Sequence, residues 1–118
     1  MNTRPPQLSL RLFVEVDDLA SAQEVADAVT TRIQSYGEIR QCQVQQYWKI
    51  PQYYEVFLKL VPDVSQGYRA FDSIMFSLGS GWELSGSPDD RQAVWNPSPL
   101  GGFFLPMVRW ANLELLFQ

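Results

Sequence analysis

Tyr53-Tyr54-Glu55-Val56-Phe57-Leu58-Lys59-Leu60-Val61 is the stretch on which the fold turns. β-Branched and aromatic residues dominate it, and apolar side chains recur at every second position, the period of a β-strand. Tyr54, Val56, Leu58 and Leu60 share one face. Tyr53, Phe57 and Val61 occupy the other, interrupted by Glu55 and Lys59. A strand apolar on both faces is expected at the centre of its sheet, with a layer packed on one side and partial cover on the other.

Working outward, Lys49-Ile50-Pro51-Gln52 reads as a turn, and Ile39 to Trp48 as the strand before it. Cys42, Val44 and Trp48 alternate there with Gln41, Gln43, Gln45 and Tyr47, so the pair should form an antiparallel hairpin. Before it, Ala22, Val25, Ala26, Val29, Ile33 and Tyr36 recur at helical spacing. Ser21 and Glu24 fit a capping box, and Gly37 fits a left-handed stop, predicting a helix over 21–36. Leu8, Leu10, Leu12, Val14 and Val16 alternate with polar residues and mark a first strand. After the central strand, Asp63 and Gln66 resemble a second cap, and Val64 to Leu78 carries helical spacing up to Gly79 and Gly81. A strand over Gly81 to Ser85 would then complete a ferredoxin-like split βαβ unit.

The expected fold is α+β. Two helices, near 21–36 and 64–78, pack on one face of an antiparallel sheet of at least four strands, and additional C-terminal strands follow the ferredoxin-like core. Gln92 to Trp95 reads as a short strand, and Val108 to Leu116 as a final one with Arg109, Ala111, Leu113 and Leu115 on one face. The C-terminal Leu113-Glu114-Leu115-Leu116-Phe117-Gln118 differs by one residue from L-E-V-L-F-Q, the half-site of a rhinovirus-type protease tag, yet its alternation continues the strand.

The 118 residues fit a single domain, 1–118. With 46% apolar and 19% charged residues the chain is that of a soluble globular protein. Met1 to Pro6 lacks the apolar core of a secretory signal, and no apolar run approaches a membrane span, so a cytoplasmic protein without membrane association is expected. Cys42 is the only cysteine, which rules out an intrachain disulfide, and it reads as a small buried apolar residue. Thirteen acidic against nine basic residues give a net charge of −4, which disfavours direct nucleic-acid binding and suits a basic protein partner.

Catalytic chemistry finds little footing. The chain has no histidine, which removes imidazole bases and most zinc sites. Asp17-Asp18 and Asp89-Asp90 lack the spacing of a calcium loop and read as turn formers. Gly79-Ser80-Gly81 and Gly101-Gly102 lack the residues of a phosphate loop. No catalytic residue, cofactor or metal is expected. The aromatics are more informative, because Trp48, Tyr53, Trp95, Phe103 and Phe104 lie at or beside turns, where complete burial is harder. Partly exposed rings are common anchors of protein contacts. Asp89, Asp90, Trp95, Phe103 and Phe104 are the expected partner-binding residues, with the alternative that the rings pack beneath the long loop.

Gly81-Trp82-Glu83-Leu84, Val94-Trp95-Asn96-Pro97, Phe104 to Pro106 and Val108 to Leu115 together resemble the tail of small bacterial immunity proteins, the antitoxins of contact-dependent growth inhibition and related polymorphic toxin systems. The resemblance covers Gly81 to Leu116 and carries no chemical motif. It implies a non-enzymatic cytoplasmic protein that binds and neutralises one cognate toxin domain, a nuclease and basic enough to suit a −4 partner. The alternative is a small ligand-binding or regulatory ferredoxin-like module, with an apolar cavity lined by Tyr54, Phe57 and Phe71.

Overall fold

The computed structural model describes residues 6–62, 67–86, 90–99 and 101–117. The chain runs β1 (Pro6–Glu15), α1 (Leu19–Ile33), β2 (Glu38–Gln46), β3 (Tyr53–Val61), α2 (Gly67–Leu78), β4 (Glu83–Ser85), β5 (Asp90–Trp95) and β6 (Val108–Phe117). The strands form one six-stranded sheet in the order β2-β3-β1-β6-β5-β4, and every neighbouring pair is antiparallel. Both helices cover the same face. The crossovers β1-α1-β2 and β3-α2-β4 join parallel strands running in opposite senses and moving in opposite directions across the sheet. Right-handed crossovers of this kind place both helices on one side.

The two-residue period of β1 builds the spine of the core. Leu8, Leu10, Leu12 and Val14 are buried beneath the helices. Val56, Leu58 and Leu60 flank them from β3, with Leu10 opposite Leu58 and Leu12 opposite Val56. Ala111, Leu113 and Leu115 flank them from β6. Val25, Val29 and Ile33 of α1, with Phe71, Ile74 and Leu78 of α2, close over this floor. Tyr53–Val61 is thus an interior strand, paired on both sides, but the middle of the sheet is β1 with β6.

The ferredoxin-like core has a different fourth strand from the expected one. Gly81–Ser85 was expected to complete it, but β4 lies at the far edge and β6 takes the place beside β1. Burial explains the choice. The position beside β1 lies under the helices and needs a continuous apolar row, which β6 supplies. All three residues of β4 are exposed, and its one large apolar side chain, Leu84, is 51% exposed. Leu113 to Phe117 of the stretch resembling a tag remnant is accordingly built into the sheet, with Leu113 opposite Leu10 and Leu115 opposite Leu8. A bulge in this ladder leaves Arg109 as the extra residue, so Val108 joins the buried row where Arg109 was expected.

Local chemistry corrects four further expectations. The N-cap of α1 is Asp18, whose Oδ1 accepts from the Ser21 backbone N–H at 2.8 Å. Helix α1 ends at Ile33 and a 3-10 turn, Gln34–Tyr36, follows. Gly37 has φ 167°, an extended conformation open to any residue. Its lack of a side chain matters for another reason: a Cβ there would lie 2.6 Å from Leu60 Cδ2, 2.7 Å from Val61 O and 2.9 Å from Pro62 Cα. Cys42 is exposed on the edge strand β2 rather than buried. The expected cap at Asp63 and Gln66, and the start of the second helix near residue 64, fall outside the described residues.

Gly37→Ala should lower stability by about 1–3 kcal/mol, because two of the three atoms it meets are backbone. An unchanged urea midpoint would refute this close-approach account. Asp18 gives a pH prediction. The Ser21 hydroxyl and then its backbone N–H hold the Asp18 carboxyl below its ordinary range. A lowered folded-state pKa stabilises the fold above the unfolded pKa, about 3.9, and that contribution is lost as pH falls through the folded value. Asp18→Asn keeps a capping oxygen without the titration, so its stability should fall less steeply below pH about 4 than that of the parent chain.

Candidate functional site

Strand alternation sends every second side chain away from the helices. On β1 these include Arg11, Phe13 and Glu15; on β3, Tyr53, Glu55 and Phe57; on β6, Trp110, Asn112 and Glu114. No described element packs over this face. Of those residues Asn112 alone is buried, at 8% exposure, and its Nδ2 donates to Ala93 O at 3.4 Å. One side of the sheet is therefore a closed core, and the other is an open surface with rings set into it.

The rings form a connected row. Tyr47 extends the hairpin beyond β2, its backbone N–H donating to Tyr53 O at 2.8 Å. The Tyr47 and Phe13 ring centroids are 4.5 Å apart, and those of Phe13 and Trp110 are 5.1 Å apart, each pair tilted by 33°. These separations suit offset aromatic contact. All three residues are half-buried, each ring shielding its neighbour's edge. Trp48 continues the row at the hairpin tip, 6.3 Å from Tyr47, and is 79% exposed. A tryptophan this open contributes little to the core.

Beside the rings lies a polar network. Arg11 pairs with Glu55 at 3.6 Å while its guanidinium carbon sits 5.2 Å from the Phe57 ring centroid. Gln45 Nε2 donates to Glu55 Oε1 at 3.1 Å. Arg109 Nε donates to Glu15 Oε1 at 3.3 Å, and its Nη1 donates to Pro106 O at 2.7 Å. Exposed pairs of this kind add little stability, so their effect is to fix side-chain positions on the surface.

The expected partner-binding residues divide. Trp95 is buried, 4% exposed, with its indole N–H donating to Ser80 O at 2.9 Å. Phe103 packs against Trp95 at 5.2 Å and Trp82 at 6.1 Å, and stacks on Phe104 at 5.7 Å. Phe104 donates its backbone N–H to Leu78 O, and the Arg32 guanidinium lies 4.1 Å from its ring centroid. These three rings hold the long loop down on the helix side, so Trp95 is a core residue rather than an exposed anchor, and Phe103 and Phe104 are half-buried. Asp90 begins β5 and is exposed on the open face; Asp89 lies outside the described residues. Sequence reasoning missed the ring row, although its signal was present: Phe13 stands in the polar phase of β1, between Arg11 and Glu15.

Other features offer less chemistry. Partial burial, with Asp27 nearby, pushes the Cys42 thiol up, which makes it a weaker nucleophile at neutral pH. An open cleft of about 480 Å³ between the start of α1 and the long loop is lined by Val16, Val25, Leu105 and Met107, with Glu15, Asp17 and Glu24 at its rim. Tyr54, Phe57 and Phe71 cannot line one cavity, because Phe57 lies on the open face and Phe71 on the buried one. Among the described residues no group of three His, Cys, Asp or Glu is placed to hold a metal ion, and no helix is long and apolar enough to cross a membrane.

No protein-family model and no curated protein matches the chain. Among solved structures it is similar to LarC2, the C-terminal domain of a cyclometallase involved in the synthesis of the NPN cofactor of lactate racemase, in its apo form. That likeness has a TM-score of 0.36 at 8% identity and covers 82% of this chain and 76% of the other.

Trp95→Ala should destabilise the chain by about 3–5 kcal/mol through the cavity it leaves and the lost indole hydrogen bond. Trp48→Ala should leave the melting temperature within about 1–2 °C of the parent, since an exposed side chain is removed. Thermal melts of the two variants check both statements, and equal losses would contradict the assignment of one ring to core and the other to surface.

Proposed function

We propose that this chain is a non-enzymatic immunity protein that binds a cognate toxin domain, a nuclease, and neutralises it by covering its active site or substrate path. The observation that carries the reading is the uncovered sheet face with its row of half-buried rings and the exposed Trp48 beside it. A contiguous apolar patch of this kind on a small protein marks a surface made to be covered. Its composition is that of an interface: aromatic anchors at the centre and charged groups around them. The net charge of −4 favours a basic partner. The resemblance of Gly81–Leu116 to immunity proteins supplies the toxin as that partner. The small-ligand alternative is weaker, since Phe57 and Phe71 stand on opposite faces of the sheet.

The reading expects a toxin gene directly upstream of this chain's gene, and the test is co-expression with the toxin domain encoded there. Growth should be restored, and the two proteins should co-elute as a stable complex in which the nuclease activity is blocked. Continued killing with both proteins present at equal levels would end the immunity reading.

A further inference from the structure

We propose that the open sheet face is the docking surface for a cationic protein segment whose arginine side chains lie against the Tyr47–Phe13–Trp110 rings, with Glu83, Asp90 and Glu114 meeting its remaining charge. This rests on the binding reading above and adds to it the surface and the chemistry of the partner.

The charges on this face select the occupant. Six carboxylates, Glu15, Glu38, Glu55, Glu83, Asp90 and Glu114, share it with Arg11, Lys59 and the bulged Arg109, and Glu38 is paired with Arg40 at 3.2 Å. Arg11 and Arg109 are already engaged by Glu55 and Glu15. Glu83, Asp90 and Glu114 have no ion-pair partner among the described residues. They fall on the β4-β5-β6 half, where Glu83 stands opposite Val94, Asp90 opposite Leu116 and Glu114 opposite Gln92. Arg91, the cation of β5, turns to the helix side instead, pairing with Asp72 at 3.1 Å and lying 5.5 Å from the Phe71 ring centroid. Arg109, the cation of β6 on this face, is taken up by Glu15, so the acidic half gains from a cation supplied in trans.

The rings select arginine among cations. A guanidinium stacks on an aromatic face and keeps its in-plane donors for carboxylates, which a lysine ammonium cannot do. The face already shows this arrangement internally, with Arg11 against Phe57 and ion-paired with Glu55 at 3.6 Å. An open aromatic sheet also suits the stacking of unpaired nucleic-acid bases. Phosphates would here meet unpaired carboxylates rather than rows of Lys and Arg, which decides for a protein segment. The area is sufficient. Six strands at about 4.8 Å spacing and roughly 25–30 Å of strand length give a face of roughly 700 Å², close to the ~800 Å² per partner of a standard interface.

The experiment is titration of the isotope-labelled full chain with hexa-arginine, hexa-lysine and a decauridylate RNA at low ionic strength, read by amide chemical shifts. Hexa-arginine should move the amides of Phe13, Tyr47, Trp110 and Glu114, leave those of α1 and α2 in place, and bind more tightly than hexa-lysine. Trp110→Leu should weaken it about fivefold at an unchanged melting temperature. The combined variant Glu83→Gln, Asp90→Asn, Glu114→Gln should weaken it about tenfold, with a shallower salt dependence. Absence of hexa-arginine binding, shifts centred on the acids at the start of α1, or tighter binding of the RNA at this face would each overturn the proposal. The two readings fail separately: lack of toxin protection with peptide binding intact ends the immunity reading alone.

Discussion

The pairing of β1 with β6 is the constraint on which the rest of the structure depends. β1 sits under both helices, and its buried row of Leu8, Leu10, Leu12 and Val14 needs an apolar row on each side. β3 provides one, through Val56, Leu58 and Leu60. Only a strand with small and branched apolar residues at alternating positions can provide the other, and Val108–Phe117 meets that requirement. Once β6 occupies this position, the short β4 and β5 must step outward from it to the far edge. The long loop before β6 then returns across the end of α2, where Trp82, Trp95, Phe103 and Phe104 secure it.

Much of this was legible in the sequence wherever a period of two or 3.6 was sustained. β1, β2, β3 and both helices stood out because each buries one face and pays for the pattern with regular spacing. What failed were choices between equally good local patterns. Asp18-x-x-Ser21 and Ser21-x-x-Glu24 have the same spacing, and the chain caps at the first. Gly37 was the right residue for a different reason, close approach to β3 rather than a left-handed turn. The fourth core strand was misplaced because sequence order favours the next strand, whereas burial favours the more apolar one. The site was missed because nearness to a turn is a poor guide to exposure: Trp95 is next to a loop and buried, while Phe13 is in mid-strand and half open. Phase within the strand was the better signal.

The two faces of the sheet show the same alternation used for opposite ends. On the helix side it excludes water and supplies most of the folding free energy through buried apolar area. On the open side it spaces rings and charges at fixed intervals on a rigid support. Tyr47 and Trp48 lie beyond the end of β2, and of the two Trp48 is the exposed one.

Joining the first strand to the last has a temporal consequence. Pro6 lies opposite Phe117, so the ladder that completes the core closes a loop containing nearly all of the described chain. Contacts this distant in sequence carry a large closure entropy and form slowly. During synthesis β1 emerges early and must remain half-paired, with β3 on one side and an open edge on the other. Such an edge is a place for wrong partners. The ring row is assembled by that same late pairing, because Trp110 meets Phe13 only once β6 has docked on β1, so the open face is finished after every locally formed element of the fold.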